Sequence, residues 1–338
     1  MLPSGSAIGA DTLPTATPVL YIAGTGRSGS TVLANVLGEV PDCVSVGELR
    51  YLWERGMDEN RLCGCGRAFR ECPFWAEVLH LAFGSAVPDS AEMRRLQARF
   101  ARMRSLARLA ASRRRPARLT AELGRLPGDL ARLYAAVLAV SGAQLVVDSS
   151  KLPSYAVLLD STPGLDVTVV HLVRDPRAAA FSWQRRKAQP DRRTPGYMER
   201  RGAAKSVALW LAWNAVTELM WSHRRDRYLR VTYEDFVADP RAVVRRILAA
   251  VGFAAEVEED AAGGAGVFVD DHTVRLGVSH TVAGNPARLR GGPVRLSLDD
   301  EWRVAMPTRD RMLVTAAGAP LMARYGYPLR TPRGVEDR

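Results

Sequence analysis

The chain has 338 residues, 47% hydrophobic and 25% charged, with 47 Lys and Arg against 36 Asp and Glu and a net charge of +11. That is enough apolar material for one large or two modest cores. No run reaches the ~18 apolar residues of a membrane span, and the opening MLPSGSAIGADTLPTATP lacks the basic and apolar regions of a secretory signal. The expectation is a cytoplasmic protein without a transmembrane segment: a disordered leader over 1–17, one domain over 18–330 and a tail over 331–338. A basic surplus can serve nucleic acid, a membrane surface or an anionic small molecule. Only three lysines occur, Lys151, Lys187 and Lys205, so the excess is arginine in an alanine-rich chain and says little about partners by itself.

Short β-branched runs alternate with helical stretches, the pattern of an α/β fold with a mostly parallel sheet. The first run, PVLYIA (18–23), leads into GTGRSGST (24–31) and a helix from about Ser30 to Gly38. Gly24, Gly29 and Thr31 keep the spacing of the ATP-binding loop G-x-x-x-x-G-K-[ST], but Ser30 stands where that loop has lysine. The loop therefore suits a phosphate-like anion held by backbone N–H groups and the helix dipole, with Arg27 as an added cation, better than it suits a magnesium triphosphate.

A short strand near CVSV (43–46) precedes Glu48, which reads either as a proton acceptor or as the end of an S-x-x-E capping box begun by Ser45. Cys63, Cys65 and Cys72 follow at C-x-C-x6-C spacing, which is not that of paired zinc knuckles. A reduced cluster is favoured over zinc with Cys43 or His80 as fourth ligand, and no metal is expected. Residues 55–140 read as a helical insertion. Within it, 91–114 is an amphipathic surface helix with Met93, Leu96, Phe100, Met103, Leu106 and Leu109 on one stripe.

LVVDS (145–149) is a strand that runs out at Lys151, and VTVVHLV (167–173) is a buried strand containing His171 and ending at Arg174. Strand ends of this kind are where open α/β sheets bind ligands. Asp175-Pro176 caps the next helix, placing Ser182 and Arg186 on one face four residues apart. YLRVTY (228–233) is a further strand, ending at Tyr233. From 254 to 300 the pattern is irregular and glycine-rich, with His272, His280, Arg288 and Arg290.

R-S-G-S-T on a strand–loop–helix resembles the 5′-phosphosulfate loop of the sulfotransferases that use 3′-phosphoadenosine-5′-phosphosulfate (PAPS). The interval from Arg174 to Ser182 and the segment VTYEDF are similar to two further motifs of that family. The resemblance implies a P-loop NTPase-like three-layer α/β/α fold and PAPS as donor. It implies a small-molecule or glycan hydroxyl as acceptor (carbohydrate, lipid or secondary metabolite) and no nucleic-acid partner. Residues Arg27 to Thr31 would hold the 5′ end, Arg174, Ser182 and Arg186 the 3′-phosphate, and Tyr233 the adenine. Arg288 and Arg290, in GNPARLRGG (284–292), would sit on a loop closing over the 3′-phosphate. GEVPDCVSVGELRYLW resembles the glutamate-base branch, as in tyrosylprotein and carbohydrate enzymes. The expected catalytic set is then Glu48 as base, Lys151 on the sulfuryl group and leaving oxygen, and Arg27, with His280 as the alternative base. A P-loop kinase and a basic polyanion binder are the competing readings. The first would need a phosphate-binding lysine, and the second would use the arginines of 91–118.

Overall fold

The apolar runs read above become the strands of one sheet in a computed structural model, which describes residues 16–100, 102–106, 123–194, 196–253 and 266–330. The strands β1 (Thr17–Gly24), β2 (Cys43–Gly47), β3 (Leu145–Lys151), β4 (Leu165–Val173) and β5 (Tyr228–Thr232) lie in the order β2-β3-β1-β4-β5. Every pairing is parallel. Successive side chains of β1 point to opposite faces, and both faces are covered, as a parallel sheet requires.

On one face Val19, Tyr21 and Ala23 pack with α2 (Pro73–Phe83), α3 (Ser90–Phe100), α4 (Leu126–Ser141) and α5 (Pro153–Asp160). On the other, Leu20 and Ile22 pack with α1 (Ser30–Gly38), α8 (Tyr233–Ala238) and α9 (Pro240–Ala250). Between these lie α6 (Pro176–Gln184) and α7 (Ala203–Trp221); α10 (Trp302–Ala305) and α11 (Thr308–Arg324) complete the helices among the described residues. The fold is therefore the three-layer α/β/α arrangement expected.

Three local expectations change. The helix begun at Ser90 ends at Phe100; Met103 starts a separate 3-10 turn, and Leu109 lies outside the described residues. Its stripe turns inward, with Met93 and Phe100 fully buried and Leu96, Met103 and Leu106 packed on the same cluster. The region 266–300 contains an antiparallel hairpin, β6 (Thr273–Leu276) with β7 (Gly292–Arg295). Finally, α6 stops at Gln184 because Arg185 turns to an extended backbone, φ −67° and ψ 137°. Arg186 consequently does not share a helix face with Ser182; it is exposed and stacks on Tyr197, 3.7 Å from the ring centroid.

Candidate active site

The chain reverses direction across the sheet at β1, whose neighbours β3 and β4 lead to opposite sides, and the crevice at such a switch point is where ligands gather. Gly29 caps α1 at φ +90°, and a Cβ there would lie 2.3 Å from Cδ2 of Tyr233. Only glycine lets the loop lie against that ring. Arg27, a non-glycine residue at φ +71°, stacks on Trp183 at 4.7 Å, while the Trp183 indole donates to the Gly26 carbonyl at 3.1 Å.

Two β-bulges aim the next pair of side chains. Between β1 and β3, Tyr21 pairs with Asp148 but Ala23 pairs with Lys151, one extra residue on β3. Between β2 and β3, Ser45 pairs with Val147 and Gly47 with Asp148, one extra residue on β2. Bulges re-aim the residues that follow them. Lys151, itself at φ +66°, and Glu48 meet as a buried ion pair, Nζ to Oε1 2.7 Å. Lys151 also donates to the Ser149 carbonyl at 3.0 Å, and Ser150 Oγ accepts from the Arg50 N–H at 3.2 Å. Beneath them Asp148 is buried, its carboxyl raised to about 6 chiefly by desolvation against the pull of its bonds from Ser150 and Tyr134. For Glu48, burial pushes the carboxyl up, but Lys151, Arg55 and Arg50 together outweigh it and hold it below the usual carboxylate range. Glu48 is thus a carboxylate at neutral pH.

A strap over 277–290 closes this end. The Ala283 carbonyl accepts from the Glu48 N–H at 3.3 Å, and the Val282 N–H donates to Val46 at 3.0 Å. A Cβ on Gly284 would lie 3.4 Å from Thr31 Oγ1 and 3.5 Å from Glu48 Oε1, so one glycine separates loop hydroxyl from carboxylate. The Asn285 N–H donates to Thr31 Oγ1 at 3.3 Å.

The Arg174 end of the crevice adjoins the loop. Arg174 NH1 donates to the Arg27 carbonyl at 3.2 Å, and its guanidinium lies 4.4 Å over the Tyr233 ring. Asp299 sits in the middle, 3.3 Å from Arg174 NH2 and bonded also to Arg185 NH2. Burial raises its carboxyl, and Arg174 and Arg185 override that, leaving it below its ordinary value. Ser182 is buried on α6 nearby in sequence. Around this crevice Arg27 Nε and NH2, Ser28 Oγ, Arg174 Nε and Arg185 Nε are buried without hydrogen-bond partners. Buried donors are ordinarily satisfied, so these orphans leave the crevice with donors free to meet an anion. Arg27 is desolvated enough to fall to about 10, with Glu48 partly restoring it, and stays cationic at neutral pH.

The structure brings together Arg27 to Thr31, Glu48, Lys151, Arg174 and Tyr233. It does not bring Arg186, Arg288 or Arg290 to them as phosphate donors. Arg288 turns inward, donating to the carbonyls of Thr281 at 2.8 Å and Leu62 at 2.5 Å and pairing with Asp191 at 3.3 Å; Arg290 is exposed. The strap they belong to lies at the Thr31 and Glu48 end instead. His280 faces Cys63 and Cys72, and His171 is fully buried between Tyr228 and Asn214. Sequence reasoning passed over Asp299, Arg185 and Lys187. Lys187 is pushed down to about 8 by burial first and then by Arg27, Arg185 and Arg174; its rarity in an arginine-dominated chain was the available signal.

A profile described as "Sulfotransferase family" matches residues 18–257. Among solved structures, the chain is similar to the sulfotransferase domain of the olefin synthase from Synechococcus PCC 7002, at 21% identity and TM-score 0.52, covering 96% of this chain and 100% of that one. It is similar also to the sulfotransferase domain of the curacin biosynthetic pathway, at 18% identity and TM-score 0.51, covering 94% and 100%. At these identities the likeness is one of fold. Comparison with curated proteins finds no match. Among the described residues no helix is long and apolar enough to cross a membrane.

Proposed function

The chain belongs to the sulfotransferase family, and on that footing we propose that it transfers the sulfuryl group of PAPS to a hydroxyl of a carbohydrate, lipid or secondary metabolite. PAPS supplies an activated sulfuryl group on a phosphate leaving group. The observation that carries the reading is the buried Glu48–Lys151 pair, 2.7 Å apart, one glycine from the hydroxyl of the anion loop.

Glu48 would take the proton of the acceptor hydroxyl as that oxygen attacks the sulfuryl group, and the phosphate end of the donor would leave with the electron pair of its bond to sulfur. Positioning and charge stabilisation dominate such a displacement. Lys151 is freed from Glu48 as the carboxylate is neutralised, so its ammonium turns to the charge growing on the leaving oxygen. The amides of Ser28 to Thr31 and the Arg27 guanidinium hold the 5′ end; Arg174 and Ser182 hold the 3′-phosphate, with Asp299 displaced from Arg174. Tyr233 offers its ring to the base. Support for the donor comes from the orphaned donors of Arg27, Ser28, Arg174 and Arg185, which fit two phosphate-like groups and leave no lysine in the loop for a triphosphate.

The direct test is thermal-shift and calorimetric titration with adenosine 3′,5′-bisphosphate beside ATP–Mg²⁺, followed by an acceptor screen with labelled PAPS. Saturable stabilisation by the bisphosphate, abolished in Arg174→Ala, is expected. Stabilisation by ATP–Mg²⁺ alone would overturn the reading.

A further inference from the structure

Outside the crevice, three cysteines and a histidine meet. Cys63, Cys65 and Cys72 come from a tight turn before α2, and His280 arrives from the strap, over two hundred residues later. Their Sγ and ring-nitrogen atoms all lie within 4.8 Å of one another. His280 Nδ1 is 3.3 Å from Cys72 Sγ and 3.8 Å from Cys63 Sγ, and the sulfurs of Cys65 and Cys72 are 3.7 Å apart. A tetrahedral zinc with Zn–S of about 2.3 Å and Zn–N of about 2.0 Å sets sulfur–sulfur edges of about 3.8 Å and sulfur–nitrogen edges of about 3.5 Å. The Cys65–Cys72 and the two His280 separations lie within about 0.3 Å of these edges, and the remaining pairs lie within 4.8 Å. They are far too long for a disulfide at about 2.05 Å, and all four cysteines of the chain are free thiols.

The surroundings fix the imidazole with its Nδ1 toward the sulfurs. The Phe74 ring stacks on the imidazole at 4.6 Å and 11°, the Trp75 indole donates to the His280 carbonyl at 2.8 Å, and Nδ1 is left facing sulfur. The Cys63 N–H donates to the Arg67 carbonyl at 2.8 Å and the Gly66 N–H to the Cys63 carbonyl at 2.9 Å, folding the ligand turn. Cys43, once a candidate ligand, lies in the core beneath the opposite face of the sheet, and His80 is exposed on α2.

We propose that Cys63, Cys65, Cys72 and His280 bind one structural zinc ion that pins the strap to the ligand turn, and so holds Ala283 and Gly284 against Glu48 and Thr31. Binding takes three thiols to thiolates with release of their protons and uses a neutral imidazole through Nδ1, with its proton on Nε2. No coordination position is left for substrate, as in closed structural sites. The four ligands carry a net charge of −1 with the ion, and the Arg288 guanidinium, paired with Asp191, donates to the carbonyls of Leu62 and Thr281, the sequence neighbours of Cys63 and His280.

The test is metal analysis of the full chain expressed with zinc in the medium and purified without chelator. About one zinc per chain is expected, retained in Cys43→Ser and lost in Cys72→Ser and His280→Ala. Because those two variants can lose metal simply by unfolding, the wild-type chain is also exchanged with cobalt(II), whose tetrahedral thiolate coordination gives intense visible absorption and a sulfur-to-metal charge-transfer band. Metal-free protein with four titratable thiols, a Cys65–Cys72 disulfide, or a cobalt spectrum without thiolate bands would each overturn the site. Neither readout involves turnover or bisphosphate binding, so the zinc site and the sulfuryl-transfer reading fail separately.

Discussion

Three cations hold Glu48 ionised in a buried place, which suits the proton-accepting role proposed for it. Replacing it by Gln keeps its shape and removes its basicity. Turnover is expected to fall by about 10²–10⁴-fold, while adenosine bisphosphate still binds, since a negative charge near Arg27 has been removed. Unchanged turnover with intact binding would sink the assignment. Lys187 offers a pH handle on the donor site. Depressed to about 8 in the free protein, it is neutral above that pH, and a bound dianion favours its charged form. Affinity for the bisphosphate is therefore expected to weaken as pH rises through about 8, with proton uptake on binding, visible by calorimetry in buffers of different ionisation enthalpy. Binding that is flat between pH ~7 and ~9.5 would show that Lys187 does not face the ligand.

The elements were readable where local chemistry decides them. Short, largely apolar runs mark β1, β3 and β4, and Asp175-Pro176 marks the start of α6, its carboxylate accepting from the Arg177 N–H as a cap should. What failed to show depends on distant partners. The two bulges that aim Glu48 and Lys151 exist only in the pairing of β2 and β1 with β3. The four-residue strands β6 and β7 carry too few side chains for a period to register. Arg186 was misplaced because nothing local announces that α6 ends two residues earlier, and Arg288 because an inward-turning arginine looks the same in sequence as one facing a phosphate. The contact of α1 with α8 through Gly29 and Tyr233 yields a comparison. Gly29→Ala meets both a positive φ and a ring 2.3 Å away, whereas Gly142→Ala at φ +70° meets no atom within 4 Å. The second is expected to cost about 1 kcal/mol; the first should cost more, by about 1–3 kcal/mol, and also abolish bisphosphate binding. Equal unfolding free energies from denaturant titration would refute the packing argument.

At the scale of the molecule, helices on both faces share one parallel sheet, and segments remote in sequence meet at its carboxyl edge: 24–31, 48–50, 149–151, 174–187 and 281–299. Such interleaving predicts one calorimetric unfolding transition for the chain, shifted as a whole by the bisphosphate; two separable transitions, only one of them moved, would contradict it. Asp299, between Arg174 and Arg185, gives the chain a resident rival for those cations. If those cations take the donor, a tethered rival would loosen incoming donor and spent nucleotide alike and work as a built-in ejector, giving up some grip on arrival to shorten the wait before the next cycle. An Asp299→Asn chain should hold the spent nucleotide several-fold longer, and where departure limits the cycle it should work more slowly for binding better.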